Sequence, residues 1–246
     1  MQPTTNQPTC DFCGRTLAPR TFALCGVERF LGWMPCSCEG ATAARKNAEA
    51  EEEARRERAR AEALERKLAA SGLMPRYMHA THPRAREVVS RLLDGGGVWI
   101  HGPVGTGKTT LASAAARIIV ESGRSLRIAS MGRILDEIKA GFADDTDPLP
   151  TYAGVPMLML DDLGKESPTD FALERLFALV DQRYSRMLPT LVTTQYAPQV
   201  LGHRLSKNGE LDTAIAVVSR LRQNALMIEL KGPDKRMATS ADGRQS

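Results

Sequence analysis

The segment Gly102-Pro103-Val104-Gly105-Thr106-Gly107-Lys108-Thr109-Thr110 carries the most specific chemistry in the sequence. It matches the phosphate-binding pattern G-x-x-x-x-G-K-[ST] at Gly102, Gly107, Lys108 and Thr109. Glycines let backbone N–H groups curl around a phosphate, and the start of a following helix adds positive potential. Lys108 is placed to reach the β- and γ-phosphates of a nucleotide, and the Thr109 hydroxyl to ligate Mg²⁺. An apolar run, Val98 to His101, leads into the loop, and a helix-forming run, Thr110 to Val120, leaves it. That context separates the motif from a glycine-rich turn beside a surface lysine.

Two acids form the second chemical feature. Met157-Leu-Met-Leu-Asp161-Asp162 is an apolar run closed by carboxylates. Such a run suits a central parallel strand buried on both faces. Its C-terminal end is where open α/β sheets bind ligands. Asp161 is expected to hold Mg²⁺, directly or through water, and Asp162 to polarise an attacking water.

Cysteines form the third. Cys10-Asp-Phe-Cys13 and Cys36-Ser-Cys38 are two close pairs, with Cys25 between them as a spare or a substitute ligand. Two such pairs can close a tetrahedral, structural Zn²⁺ site. The competing reading is free cysteines in a small apolar cluster with Phe12, Leu24, Phe30 and Trp33. About forty residues rarely fold without a staple, which favours zinc.

These groups need elements to hold them. Residues 1–40 read as the zinc-binding, partner-binding module. Residues 41–71, rich in Ala, Glu, Arg and Lys, read as a charged, solvated linker helix with Glu51–Arg55, Glu52–Arg56 and Glu62–Arg66 pairs and Gly72 as its stop. Residues 72–239 alternate strand and helix. Ser125–Ser130 and Pro189–Thr194 read as strands, 143–150 as a loop, 212–221 as a helix and Ala225–Leu230 as the last strand. Ser167-Pro168 is expected to open a helix with Pro at its first position. Residues 240–246 read as a disordered tail. The order predicts an α/β fold with helices on both faces of a parallel sheet.

With these residues in view, the sequence resembles the DnaC/DnaI/IstB-like branch of the AAA+ ATPases, bacterial or phage helicase loaders and their transposon relatives. The likeness rests on the paired cysteines, the charged helix, GLMPRY, GPVGTGKTT, LMLDDLG, DQRYSRMLPTLVTT, VVSRLR and GPDKR. It implies a RecA-like αβα sandwich without the usual helical lid, with ATP and Mg²⁺ bound by the loop and Asp161. Asp162 stands where many AAA+ proteins have the catalytic Glu, which implies slow hydrolysis. Gln195, after Thr193 and Thr194, stands where the first sensor is usually Asn. Arg220 matches the arginine finger that serves ATP on a neighbouring subunit, with Arg222 able to swap roles. Arg236 matches the second sensor.

The resemblance further implies a hexameric replicative DNA helicase as partner, gripped by the zinc module, and single-stranded DNA held by self-associated bodies. ATP would act as the assembly switch. Arg133 and Lys139 are candidates for DNA phosphate contacts. An IstB-like transposition helper is the nearest alternative, and an ATP-binding adaptor with negligible turnover is another. A GTPase is disfavoured because no N-K-x-D motif is present.

Composition sets outer bounds. The 246 residues are 42% hydrophobic, enough for a sizeable core. The net charge of +4 is compatible with nucleic acid but does not require it. Aromatics are only 5%, which argues against an aromatic base-stacking sheet. No run is long and apolar enough to span a membrane, and the polar start, MQPTTNQPT, lacks a signal core. The expected setting is cytoplasmic and reducing, where cysteines favour metal over disulfides.

Overall fold

The computed structural model describes residues 7–24, 27–206 and 211–235. Cys25, Arg236 and the tail 240–246 therefore lie outside the described residues. The chain divides into two compact units, Met1–Ala63 and Leu64–Ser246.

The first unit contains an antiparallel hairpin, β1 (Pro19–Leu24) and β2 (Val27–Trp33), and the start of a long helix, α1 (Glu39–Ala70). The cysteine spacing gives no sign of this hairpin. The helix begins two residues before the expected 41 because Cys38 caps it. The Ala41 N–H points at Cys38 Sγ at 3.4 Å, and the Thr42 N–H donates to the Cys38 carbonyl at 2.9 Å. Along the exposed face, Glu52 rather than Glu51 pairs with Arg55, and Glu52 also pairs with Arg56 at 2.9 Å. Gly72 stops the helix as expected. It adopts φ 95°, and a Cβ there would run into the Ile128 carbonyl.

The second unit is built on a five-stranded sheet. Its strands are β3 (Gly97–His101), β4 (Leu126–Ser130), β5 (Met157–Leu163), β6 (Thr190–Thr194) and β7 (Ala225–Glu229). The order is β4-β5-β6-β3-β7 and every pairing is parallel. Alternation along the strands sorts residues onto two faces. Val98, Ile100, Ile128, Met159, Leu191 and Ile228 meet Leu68 of α1, α2 (Ala85–Leu93) and α3 (Lys108–Glu121). Trp99, Ala129, Leu158, Leu160 and Val192 meet α4 (Met131–Gly141), α5 (Leu149–Gly154), α6 (Asp170–Ser185), α7 (Pro198–Leu205) and α8 (Leu211–Arg222). The result is the expected three-layer sandwich.

Several boundaries differ from expectation. Pro168 does not open α6. Thr169 is extended and caps the helix instead, its hydroxyl accepting from the Ala172 N–H at 3.1 Å. The last two residues of the expected 143–150 loop start α5. Helices α2 and α7 are short, and their periodicity is too brief to stand out.

Arg183 is an internal tie that the sequence reading treated only as part of a family marker. Its side chain is 1% exposed. Nη1 donates to the carbonyls of Tyr152, Ala153 and Val155, Nη2 to that of Pro189, and Nε to the Thr190 hydroxyl. One guanidinium thus saturates the carbonyls between α5 and β5 and joins them to the start of β6. Burial lowers its pKa to about 10. Replacing it would orphan several buried acceptors. Arg183→Met should lower unfolding free energy by roughly 3–5 kcal/mol in urea titrations. A loss below about 1 kcal/mol would mean that water re-satisfies those carbonyls.

Candidate functional site

The sheet order reverses at β3. From β3 the chain crosses to β4, beyond β5 and β6, and it later returns to β7 on the other side. A crevice opens outside the strand ends at such a switch point. The loop 102–107 occupies it. Gly105 and Gly107 hold φ 77° and 98°, closed to ordinary side chains. A Cβ at Gly105 would overlap the Asp234 carboxylate, so the later turn packs directly on this loop. The Lys235 N–H also donates to the Gly105 carbonyl at 3.1 Å.

Lys108, the first residue of α3, is 5% exposed. Its ammonium donates to the carbonyls of Gly102 and Pro103 at 2.8 and 2.7 Å. The Thr106 hydroxyl closes the base of the loop onto Pro103 at 2.9 Å. Val104, Gly105, Gly107, Lys108, Thr109, Thr110, Asp162 and Gln195 line one cleft of about 380 Å³. Sequence reasoning gave no role to four further lining residues: Arg76, Tyr77, Lys165 and Lys235. Arg76, Tyr77 and Lys235 lie in the segments GLMPRY and GPDKR, whose sequence carries no chemistry until the fold brings both to the loop.

The two acids are separated in role by a bulge. The β5–β6 register shifts between Leu160 and Leu163, and Asp162 takes φ 55°. Asp161 turns inward and is 9% exposed. It accepts from the Thr193 hydroxyl at 2.6 Å and from the Thr109 hydroxyl at 3.2 Å. Burial raises its pKa, against the pull of the Thr193 hydrogen bond. The Asp162 N–H donates to the same Thr193 hydroxyl at 2.8 Å, and the residue lines the cleft. The Thr109 hydroxyl and Asp161 carboxylate converge as hard oxygen donors and fit Mg²⁺, which would neutralise the buried charge and polarise phosphate.

Other expected residues are placed differently. Thr194 does not line the cleft. It is fully buried, and its hydroxyl donates to the Leu163 carbonyl at 2.7 Å, a β5–β6 tie. Arg220 lines a depression with Gly95 and Gly97 at the opposite end of β3, about 13 Å of strand from the loop. It pairs with Asp181 at 2.9 Å and lies over the rings of Phe177 and Tyr184. Its own chain's cleft is out of its reach. Arg222 lines a groove between α7 and α8. Arg133 is paired with Glu137 at 2.9 Å, which weakens it as a phosphate contact; Lys139 is exposed.

In the N-terminal unit, Cys10, Cys13, Cys36 and Cys38 bring all four sulfurs within 4.8 Å of one another. Cys10–Cys38 and Cys13–Cys36 stand 3.7 and 3.6 Å apart, far too long for disulfides. Zn–S bonds of about 2.3 Å would give tetrahedral edges of about 3.8 Å, so the set fits zinc. The Phe12 and Cys13 amides pull the Cys10 thiol down to about 7. Cys13 rises to about 11 against the pull of the Arg15 amide, because Cys36 and the other thiols crowd it. Four adjacent thiolates need a cation. Among the described residues, Ala41 and Leu17 add to the apolar cluster around them. Phe12 and Phe30, two members of the cysteine-and-aromatic core that the sequence also allowed, are exposed, which argues against that account.

A parallel sheet with this loop, acid pair and strand order defines an ATP-binding protein of the AAA+ type with a RecA-like core. Residues 92–243 match the model of the IstB-like ATP binding protein family, and the chain belongs to that family. It is 32% identical over 149 residues to the replicative helicase loader DnaI of Bacillus subtilis, covering 58% of this chain and 48% of the relative. It is 32% identical over 111 residues to an ATP-binding protein in an insertion sequence of Mycobacterium tuberculosis, covering 44% of each. The chain thus spans about half the length of the curated relatives it matches. A crystal structure of DnaI superposes with a TM-score of 0.56 at 27% identity, covering 66% of this chain and 94% of that one.

Two outcomes follow. Asp161→Asn should keep the Thr193 hydrogen bond while removing a buried charge. Its unfolding temperature without nucleotide should equal or exceed wild type, and stabilisation by Mg²⁺-ATP should vanish; an early-melting variant would make the carboxylate structural. Chelation should release about one zinc per chain and melt the hairpin and the start of α1, with the Leu64–Ser246 unit still folded. Elemental analysis without metal would remove the zinc assignment.

Proposed function

We propose that this protein is an ATP-dependent loader of the replicative DNA helicase onto single-stranded DNA, with ATP as its assembly switch. The observation that carries the reading is the match to the helicase loader DnaI, which extends over more of this chain than the insertion-sequence match and recurs in three dimensions. The thiol cluster supports it, since it anchors a hairpin that exposes Phe22, Phe30 and Leu31, a surface suited to a protein partner.

In this reading the loop amides and Lys108 bind the phosphates, and Thr109 and Asp161 hold Mg²⁺. Asp162 orients the attacking water and Gln195 contacts the γ-phosphate. The short Asp162 side chain makes hydrolysis slow until DNA or a partner adjusts the site. Arg220 acts on the ATP of a neighbouring subunit after exchanging Asp181 for phosphate, with Arg222 as the other candidate. Arg236 serves as the second sensor. ATP-bound bodies assemble and hold single-stranded DNA; hydrolysis releases them. The setting is cytoplasmic; among the described residues, no helix is long and apolar enough to cross a membrane.

A second reading, a transposition helper that delivers a transposase to DNA, is favoured by the insertion-sequence relative and the family's own description. Co-elution of the full chain with the host's replicative helicase, with ATP, with ADP and without nucleotide, separates the two. A complex that changes with nucleotide is the expected result. No complex in any condition, with ATP and zinc bound, would move the assignment to the transposition helper.

A further inference from the structure

The turn after β5 carries a cation with no role so far. Lys165 lines the same cleft as Lys108, Thr109, Asp162 and Gln195. Its backbone is firmly set. The Lys165 N–H donates to the Asp162 carbonyl at 3.2 Å. The residue before it, Gly164, is held at both its backbone groups: its N–H donates to the Glu166 carboxylate at 3.0 and 3.2 Å, and its carbonyl accepts from Arg204 Nε at 3.0 Å. With Asp162 at φ 55° and Gly164 at φ 89°, the chain reverses and turns both Asp162 and Lys165 to the cleft.

The Lys165 side chain is held far less. It is 69% exposed, and its ammonium stands 3.4 Å from Asp162 Oδ2. A long ion pair open to water is weak. The terminal phosphate of a triphosphate carries more charge than a carboxylate and accepts stronger charge-assisted hydrogen bonds. The partner that Lys165 would give up is the carboxylate placed to meet the attacking water.

We propose that Lys165 senses the terminal phosphate: it holds Asp162 when no triphosphate is bound and moves to the γ-phosphate of ATP, releasing Asp162 to the water. This rests on the ATP site read above, but not on the identity of any partner. ADP, which lacks that phosphate, leaves Lys165 on Asp162. In the hydrolysis that follows, water forms a bond to the γ-phosphorus. The bond to the β–γ bridging oxygen breaks, ADP keeps its electron pair, and the proton of the water passes by way of Asp162 to solvent. The device adds to Lys108, which binds phosphate in both nucleotides, a second lysine in the same chain that distinguishes ATP from ADP.

The test measures affinities of the full chain for the non-hydrolysable β,γ-methylene analogue of ATP and for ADP, each with Mg²⁺. Lys165→Met should weaken the analogue by about tenfold, the scale of one charge-assisted contact, and leave ADP within about twofold of wild type. Lys165→Arg should restore most of the loss. Unchanged affinity for both nucleotides, or equal weakening of both, would overturn the proposal. Lys108→Ala run alongside separates the two levels. If it abolishes binding of both nucleotides while Lys165→Met has no selective effect, the ATP site stands and the sensor falls. Wild-type protein that binds neither nucleotide removes both.

Discussion

Asp161 is buried among apolar strands, and the body of this protein is arranged around satisfying that one carboxylate. A charge withdrawn from water is costly unless hydrogen bonds or a cation replace the water. Here Thr193 of β6 and Thr109 of α3 supply the hydrogen bonds. Those two contacts join the acid strand, its neighbour and the helix that follows the phosphate loop. The bulge in β5 belongs to the same arrangement, because it lets Thr193 serve Asp161 through its hydroxyl hydrogen and the Asp162 amide through its oxygen. A metal ion binding between Thr109 and Asp161 would complete what the hydroxyls begin. Nucleotide occupancy would thereby be coupled to the centre of the sheet rather than to its edge.

The same logic of satisfied polar groups recurs on the far side of the sandwich. Arg183 is a buried cation facing carbonyls instead of a carboxylate. It fixes where β5 begins, as Thr193 and Asp161 fix where it ends. Between these two polar ties the strand is apolar on both faces, so its position is set at its ends by directional bonds and in its middle by packing. Among its described residues, the N-terminal unit has no comparable core. Among the described residues its apolar cluster has three buried members, two of them cysteines, so a metal held by the four sulfurs would supply the crosslink that a core does not. With Cys38 at the cap of α1, such a crosslink would run directly into the long helix.

Much of this was legible in the residues. The loop motif singled out the loop that lines the cleft, because its glycines and lysine are required by backbone chemistry whatever surrounds them. The apolar run into Asp161-Asp162 announced a central strand, and the paired cysteines announced a four-sulfur site. These are local signals: spacing along the chain equals spacing in space within a strand, a turn or a helix.

Tertiary structure alone decided the rest. Adjacent acids at a strand end are expected in different roles, Asp161 on Mg²⁺ and Asp162 on water, but it is a bulge that buries the first and leaves the second lining the cleft. Thr194 and Gln195 are adjacent, and strand pairing sends the first hydroxyl to Leu163 and leaves the second side chain in the cleft. Arg220, within VVSRLR, and Lys165, just after LMLDDLG, are both basic residues at a motif. The fold puts one at the far end of β3 and the other beside Asp162. The sequence determined which chemical groups exist and the local elements that carry them. Only long-range pairing of strands and helices decided which groups meet, because those contacts depend on residues tens of positions apart whose approach no local period encodes.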